Sequence, residues 1–183
     1  MPSAPLEARL RLAVQRNDIK TMQDLIKRGA DINAQDNLGY TPLIIAARLG
    51  RIDCARILLG HGAEIDKADH QGHTALLWAS FYGYTETATL LAGRGADPDV
   101  RGKKGTALTC ATFFGREEIV RVLLQYGADI DKADPNGLTP VMLARQNEDE
   151  SIGALLHEAL LKKMHRLLQE AARRKRPRPK FKP

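Results

Sequence analysis

The stretch DNLGYTPLIIAARLGRIDCARILLGHGAEIDKA, residues 36–68, decides the fold of this chain. Thr41 can cap a helix with its hydroxyl, and Pro42 suits the first helical position, where a missing N–H costs nothing. Apolar residues then recur at helical spacing until Gly50, which offers the left-handed conformation that ends a helix. A second apolar set begins at Ile52 and gives another helix. The stretch predicts two antiparallel helices whose apolar sides need a neighbouring unit to cover them.

Copies of this unit fill most of the chain. The spacing of Gly39, Leu43, Gly50 and Gly62 recurs at Gly72, Leu76, Gly83 and Gly95. The next copy is shorter within GKKGT, and because its helices keep their register, the deletion must fall in a loop. Imperfect copies stand at both ends, where Asn17 and Glu148 replace the interhelix glycine, and they are predicted to be caps. The predicted units are 4–35, 36–68, 69–101, 102–133 and 134–160.

The repeated motifs resemble those of the ankyrin-repeat family. They are GYTPLIIAA (39–47), GHTALLWAS (72–80), GTALTCAT (105–112) and GLTPVMLA (137–144), each followed, except in the last unit, by G-A-D or G-A-E. The resemblance implies an all-α solenoid of helix–turn–helix units with β-turn tips. It also implies an adaptor that binds another protein on the concave surface formed by the tips and the first helices.

Composition and charge limit the class of protein. No run approaches the roughly 20 apolar residues of a transmembrane helix, and Glu7, Arg9 and Arg11 interrupt any signal-like N-terminal segment. We therefore expect a cytoplasmic protein, with the nucleus as the alternative. Cys54 and Cys110 form no C-x-x-C pair and are predicted to be small buried hydrophobic residues.

No arrangement of reactive side chains typical of an enzyme is recognisable in the sequence. His157 and Glu158 begin an H-E-x-x-H pattern, but Leu161 stands where the second histidine should be. The tip DHQGH (69–73) offers only two imidazoles on a turn, and GKKGT lacks the spacing of a phosphate-binding loop. We predict no enzymatic activity, no cofactor, no metal site and no small-molecule substrate.

The repeat register assigns candidate protein-binding residues to the tips and first-helix faces. Five of them are Phe or Tyr, which make good interface anchors because they bury much area at low entropic cost. The alternative is that one ring of each adjacent pair packs inward between units. The candidates are Leu38, Tyr40, Arg48, Leu49, His73, Phe81, Tyr82, Lys103, Lys104, Phe113 and Phe114.

Beyond the last unit, apolar residues continue at helical spacing and predict an amphipathic helix that reaches about residue 174. One interpretation is a solvated extension. The other is that Leu160, Met164, Leu167 and Leu168 dock on a partner or on a second copy of the chain. We expect a monomer, with dimerisation through this helix as the alternative.

The C-terminal segment 162–183 contains ten Lys and Arg against one Glu, a local charge of +9. The rest of the chain carries a net charge of −3, so the whole chain has a net charge of +6. Three hypotheses remain open: a two-part nuclear import signal read by a carrier, attachment to nucleic acid or an anionic membrane, or a solubilising end with no partner. A nucleic-acid-associated or nuclear regulatory protein acting through this tail is the competing function. The assigned tail residues are Lys162, Lys163, Arg173, Arg174, Lys175, Arg176, Arg178, Lys180 and Lys182.

Asn33 is a candidate modification site. The family resemblance implies that an asparagine in a hairpin tip can be hydroxylated by an asparaginyl hydroxylase. Leu25 and Asp31 match the residues favoured eight and two positions upstream. Asn33 would then be modified in a host that contains such an enzyme.

Overall fold

The computed structural model describes residues 4–174, which form ten α-helices and, within that range, no β-strand. The helices follow one another in five pairs, as expected for an all-α solenoid. They are α1 (Leu6–Gln15), α2 (Ile19–Lys27), α3 (Pro42–Arg48), α4 (Ile52–Gly60), α5 (Ala75–Tyr82), α6 (Thr85–Gly93), α7 (Ala107–Phe113), α8 (Glu117–Gln125), α9 (Pro140–Gln146) and α10 (Glu150–Arg174).

A threonine caps four of the five first helices. The hydroxyls of Thr41, Thr74, Thr106 and Thr139 each accept a hydrogen bond from the backbone N–H three residues later, over 3.1, 3.3, 3.2 and 3.4 Å. Each bond satisfies one of the N–H groups that a helix start leaves without a partner. The cap and the proline after Thr41 therefore begin α3 where the sequence predicts it.

The helices pack in two rows with the core between them. The first helices α1, α3, α5, α7 and α9 contact one another in order, while α4, α6, α8 and the start of α10 form the second row. Six consecutive residues of α3, 42–47, are buried because helices flank it on three sides. Cys54 and Cys110 lie in this core, as predicted. Burial raises the pKa of the Cys110 thiol to about 12, which keeps it protonated.

Side chains at the hairpin tips tie neighbouring units together. The Asn33 side-chain oxygen accepts the N–H of Glu64 over 2.9 Å, and Asp66 and Asp99 do the same for Asp97 and Asp129 over 3.0 and 2.9 Å. These bonds repeat at one edge of the stack, so they help to fix the register between units.

The shortened GKKGT segment is a tight loop, as the deletion predicts. Gly102 and Gly105 exchange two backbone hydrogen bonds of 3.0 Å across it. A Cβ atom at position 102 would lie 2.5 Å from the His73 ring, so only glycine fits there. The loop lies against the preceding tip, where the Lys103 N–H donates to the Gln71 carbonyl over 2.9 Å.

The helix α10 continues beyond the stack to Arg174, the extent that the apolar spacing predicts. Ile152 and Leu156 are buried, whereas Leu161, Met164, Leu167 and Leu168 are at least half exposed. Within residues 4–174 no helix is both long and apolar enough to cross a membrane.

The turn between the two helices of each unit is left-handed throughout, with φ of 57° at Asn17, 63° at Gly50, 85° at Gly83, 64° at Gly115 and 55° at Glu148. Asn17 and Glu148 are the two non-glycine residues with positive φ that the structure describes. Asparagine tolerates this conformation, but a glutamate in it costs about 1–2 kcal/mol. The two end units therefore keep the turn without its usual residue.

Glu148→Gly should stabilise the chain. It relieves the strain at φ 55°, and after the greater unfolded-state entropy of glycine the expected gain in the free energy of unfolding is about 0.5–1 kcal/mol. Urea denaturation followed by circular dichroism measures it. Gly115→Ala is the reverse control and should destabilise the chain. An added Cβ there meets only Asp149 Oδ2 at 3.8 Å, so the positive φ is the source of the destabilisation. A Glu148→Gly chain less stable than the parent would contradict this account.

Candidate functional site

Seven aromatic side chains form one continuous cluster on the first-helix row, and we call it the aromatic patch. Trp78 lies at its centre, with ring centroids 6.2 Å from Tyr40, 5.6 Å from Phe81 and 5.7 Å from Tyr82, on which it stacks. Further ring contacts of 4.7, 4.9 and 6.3 Å extend the cluster. The members are Tyr40, Trp78, Phe81, Tyr82, Tyr84, Phe113 and Phe114.

The two predicted aromatic pairs lie at the surface of the stack, where Phe81 and Phe114 contact each other across the boundary between two units. Phe113 and Phe114 are 52% and 40% exposed, and Tyr82 is 40% exposed, while Phe81 is half-buried against the core. The inward positions of the same helices are filled by small side chains such as Ala79. Inward packing of one ring per pair is therefore wrong for Phe113 and Phe114 and only partly describes Phe81.

Two cations lie against the rings. The Arg48 guanidinium carbon is 4.4 Å from the Tyr40 ring centroid and 4.8 Å from that of Trp78, and Lys104 Nζ is 4.5 Å from that of Phe81. Such contacts hold the cation over the negative face of the ring. Arg48 Nε is buried without a hydrogen-bond partner. Among the residues described, neither cation forms a salt bridge, and nor does the exposed Lys103.

The prediction that His73 belongs to the exposed surface is wrong, because its side chain is completely buried. Its Nδ1 lies 3.1 Å from Asp69 Oδ2, and its Nε2 accepts the backbone N–H of Lys104 over 3.2 Å. The absence of a side chain at Gly102 gives the ring its space. His73 therefore positions the Lys104 loop from below the surface.

The Asp69 carboxylate joins this network to the aromatic patch. It accepts the Trp78 indole N–H over 3.0 Å and the backbone N–H groups of Gln71 and His73 over 2.8 and 3.0 Å. Burial opposes ionisation of Asp69, but these hydrogen bonds together outweigh it and hold the pKa below its ordinary value of 3.8. Since His73 Nε2 accepts a hydrogen bond, Nδ1 carries the proton that is donated to Asp69.

Two open hollows border the patch. One, of about 480 Å³, lies beside Tyr40, Arg48, Leu49, Tyr82 and Tyr84. The other, of about 340 Å³, is lined by Phe81, Phe113 and Phe114 together with Lys103, Lys104 and Asp134. The aromatic patch thus forms a ridge with a depression and a cation on each side.

Of the predicted tip residues, Leu38 lies apart from the aromatic patch. Two aromatic residues that the repeat register did not select, Trp78 and Tyr84, belong to the patch. Leu38 is 61% exposed but lines neither hollow. Trp78 and Tyr84 were missed; Trp78 is the single tryptophan and precedes Phe81 and Tyr82 by three and four residues, the spacing that puts side chains on one helical face. Tyr84 packs against Gly50, where a Cβ would lie 2.6 Å from its ring.

The assignment of Lys163 to a free basic tail is wrong. Its ammonium binds Asp129 over 2.8 Å and Asp131 over 2.7 Å, on the hairpin of the preceding unit. These bonds raise the Lys163 pKa and lower that of Asp129. Lys162 pairs with Glu158 on the same helix over 2.6 Å. Lys175, Arg176, Arg178, Lys180 and Lys182 lie outside the described residues, and Arg173 and Arg174 end α10.

Comparison with known families agrees with this architecture. Residues 10–102 and 95–165 match the family model described as ankyrin repeats (3 copies). The two matches cover most of the chain, which therefore belongs to the ankyrin-repeat family, as its motifs predict.

Two curated relatives share part of the array. The chain is 45% identical over 47 residues to the 2-5A-dependent ribonuclease of Mus musculus, a match covering 25% of the chain and 6% of that protein. It is 40% identical over 58 residues to Ankyrin repeat domain-containing protein 49 of Drosophila melanogaster, covering 31% of the chain and 27% of that protein. Each match thus spans less than a third of the relative's length.

The buried Asp69 network should make stability depend on pH in the acid range. Because the Asp69 pKa is lower in the folded chain, its contribution is complete above the ordinary carboxyl pKa and is lost as pH falls through the folded pKa. At neutral pH, Asp69→Asn should lower the free energy of unfolding by about 1–3 kcal/mol. The loss should shrink in acid, as followed by denaturation with Trp78 fluorescence.

Asp36→Asn is the matched control for this effect. Asp36 accepts the N–H groups of Leu38 and Tyr40 at the equivalent tip, but it has no imidazole or indole donor. We expect a smaller loss from it. An Asp69→Asn chain with the same pH dependence as the parent would rule out Asp69 as the cause.

Proposed function

We propose that this chain is a non-catalytic adaptor that binds a partner protein on the aromatic patch. Ankyrin repeats form a protein–protein interaction module, and the fold is generally non-catalytic. The observation that carries the proposal is the continuity of the seven rings around the buried indole of Trp78. A contiguous exposed apolar patch typically marks an interaction site.

The scaffold favours tight recognition because it fixes these rings before a partner arrives. Trp78 is held by the Asp69 carboxylate, and Tyr40 by the guanidinium of Arg48. Tyr82, Phe113 and Phe114 remain 40%, 52% and 40% exposed in the folded chain, and this is aromatic surface that a partner can bury. Since little side-chain entropy remains to be lost, more of that burial contributes to affinity.

The charges around the patch indicate the chemistry of the partner. Arg48, Lys103 and Lys104 border the two hollows and lack carboxylate partners within the described chain. A partner that supplied Asp or Glu beside its apolar residues would satisfy these cations, whereas a basic segment would be repelled. We therefore propose an apolar segment flanked by acidic residues as the bound element.

The basic C-terminal segment supports a second candidate function, attachment to nucleic acid. Its sequence carries a charge of +9, and although Lys162 and Lys163 are paired with carboxylates, the remaining cations could neutralise several phosphates. Binding would then be independent of sequence, would fall steeply with salt and would disappear on deletion of residues 162–183. Partner capture that survives the same deletion would favour the adaptor.

Selection of a random peptide library on the full-length chain tests the adaptor. We expect enrichment of apolar peptides that carry Asp or Glu. Replacement of Phe81, Tyr82, Phe113 and Phe114 together by alanine should weaken the selected peptides by at least about tenfold, because rigid aromatic anchors carry most of such binding energy. Lys103→Glu with Lys104→Glu should weaken them as well. Titration followed by fluorescence of the single tryptophan measures both effects.

Tyr126→Ala is the matched control, since Tyr126 is a 43% exposed aromatic residue at the end of α8, outside the patch. It should leave peptide affinity unchanged. Crosslinking and mass spectrometry in native cells extend the test to the physiological partner. A correctly folded four-alanine chain that keeps both the peptides and the crosslinked partners would refute the proposal.

A further inference from the structure

The apolar stripe of α10 changes face part way along the helix. Ile152 and Leu156 pack into the stack, whereas Leu161, Met164, Leu167 and Leu168 are 51%, 50%, 52% and 67% exposed. At about 100° per residue, the second set lies roughly a third of a turn around the helix from the first. The distal stripe therefore does not continue the core-facing side of the helix.

Lys163 fixes the helix in this orientation. Its two bonds to Asp129 and Asp131 occupy the side of α10 that faces the stack. Rotation of the distal stripe onto the repeats would break both bonds. The apolar residues after position 160 consequently remain exposed while the repeats stay folded.

The face opposite the distal stripe is basic. Lys162, Arg166 and Arg173 are exposed, and at helical spacing they lie on the side away from Met164. Lys162 also pairs with Glu158. The sequence adds five Lys and Arg after residue 174 and no acidic residue. Leucine and methionine on one face with Lys and Arg on the other are typical of helices that lie in a membrane interface.

We propose that the distal half of α10 docks on an anionic lipid surface. Leu161, Met164, Leu167 and Leu168 would enter the boundary between headgroups and acyl chains, and the long cationic side chains would reach the phosphates. The helix would lie on the membrane without crossing it. This attachment is independent of the aromatic patch, which belongs to the first-helix row.

The apolar stripe and the basic face of α10 together favour an anionic membrane over other binding partners. Nucleic acid or a carrier with acidic pockets would use the charges but leave the apolar stripe exposed to water. A second copy would cover the stripe but bring two strongly positive segments together. An acidic helix could match only the cations along its own length, whereas a planar anionic surface also accepts those after residue 174 without matched spacing.

Co-sedimentation of the full-length chain with vesicles tests the proposal. The chain should bind vesicles of phosphatidylcholine mixed with phosphatidylserine and should not bind phosphatidylcholine alone. Met164→Gln, Leu167→Gln and Leu168→Gln together should reduce binding at least about tenfold, because apolar insertion is lost. Lys162→Gln, Arg166→Gln and Arg173→Gln together should reduce it by about fivefold per removed cation.

Two matched controls separate specific from general effects. Leu12→Gln changes an exposed leucine of α1, and the triple change Lys20→Gln, Lys27→Gln and Arg56→Gln removes the same net charge from other helices. Both should bind the mixed vesicles like the parent chain, and so should the four-alanine variant of the aromatic patch. Failure of lipid binding would therefore leave the adaptor proposal intact, and failure of partner binding at the aromatic patch would leave the membrane proposal intact.

Three results would overturn the membrane proposal. The first is no binding to the mixed vesicles, and the second is binding that survives loss of the apolar stripe but not loss of the charges. The third is a dimer in sedimentation equilibrium that the stripe variant alone dissociates, which would assign this face to a second copy. Circular dichroism of each variant verifies that α10 is still formed.

Discussion

Close side-by-side packing of the first helices is the constraint on which the rest of the structure depends. Neighbouring first helices contact one another along the whole row, and many of the buried positions on them hold small side chains. The ring of Trp78 is buried, whereas Phe113 and Phe114 lie outside the row, where Phe114 meets Phe81 of the neighbouring unit. The small inward residues are Ala46, Ala47, Ala79, Ser80, Ala111 and Thr112. The packing that builds the solenoid thereby also assembles the aromatic patch.

The Asp69 carboxylate links that packing to the chemistry of the surface. It fixes His73 and Trp78 at once, and His73 in turn holds the backbone of the Lys104 loop. The Asp69 carboxylate thus positions both the Trp78 indole and, through His73, the loop that carries the Lys104 ammonium. The shortened GKKGT loop belongs to the same arrangement, because Gly102 leaves room for the imidazole. His73 in the unit 69–101 and the shortened loop in the unit 102–133 are thus structurally complementary.

Local signals in the sequence were sufficient for the fold but not for every site residue. Thr41, Pro42 and Gly50 act within one turn of the chain, so their effect on α3 follows from the sequence directly. The burial of His73 depends on a missing side chain in the next unit, and Lys163 finds its partners more than thirty residues away. Neither contact leaves a mark in local spacing. The outward position of Phe113 and Phe114 likewise depends on how closely α7 and its neighbours approach.

The left-handed turns at Asn17 and Glu148 place the weakest local conformations in the two outermost units. In an array where each unit contacts only its neighbours, stability is approximately a sum of unit and interface contributions. The central units have glycine at this turn, and the unit of residues 69–101 also contains the Asp69 hydrogen bonds, so these units lack the local strain of the outermost ones. We expect fraying to begin at the ends and the amide protons around Trp78 to exchange last. The surface that carries the aromatic patch persists even when a terminal unit opens.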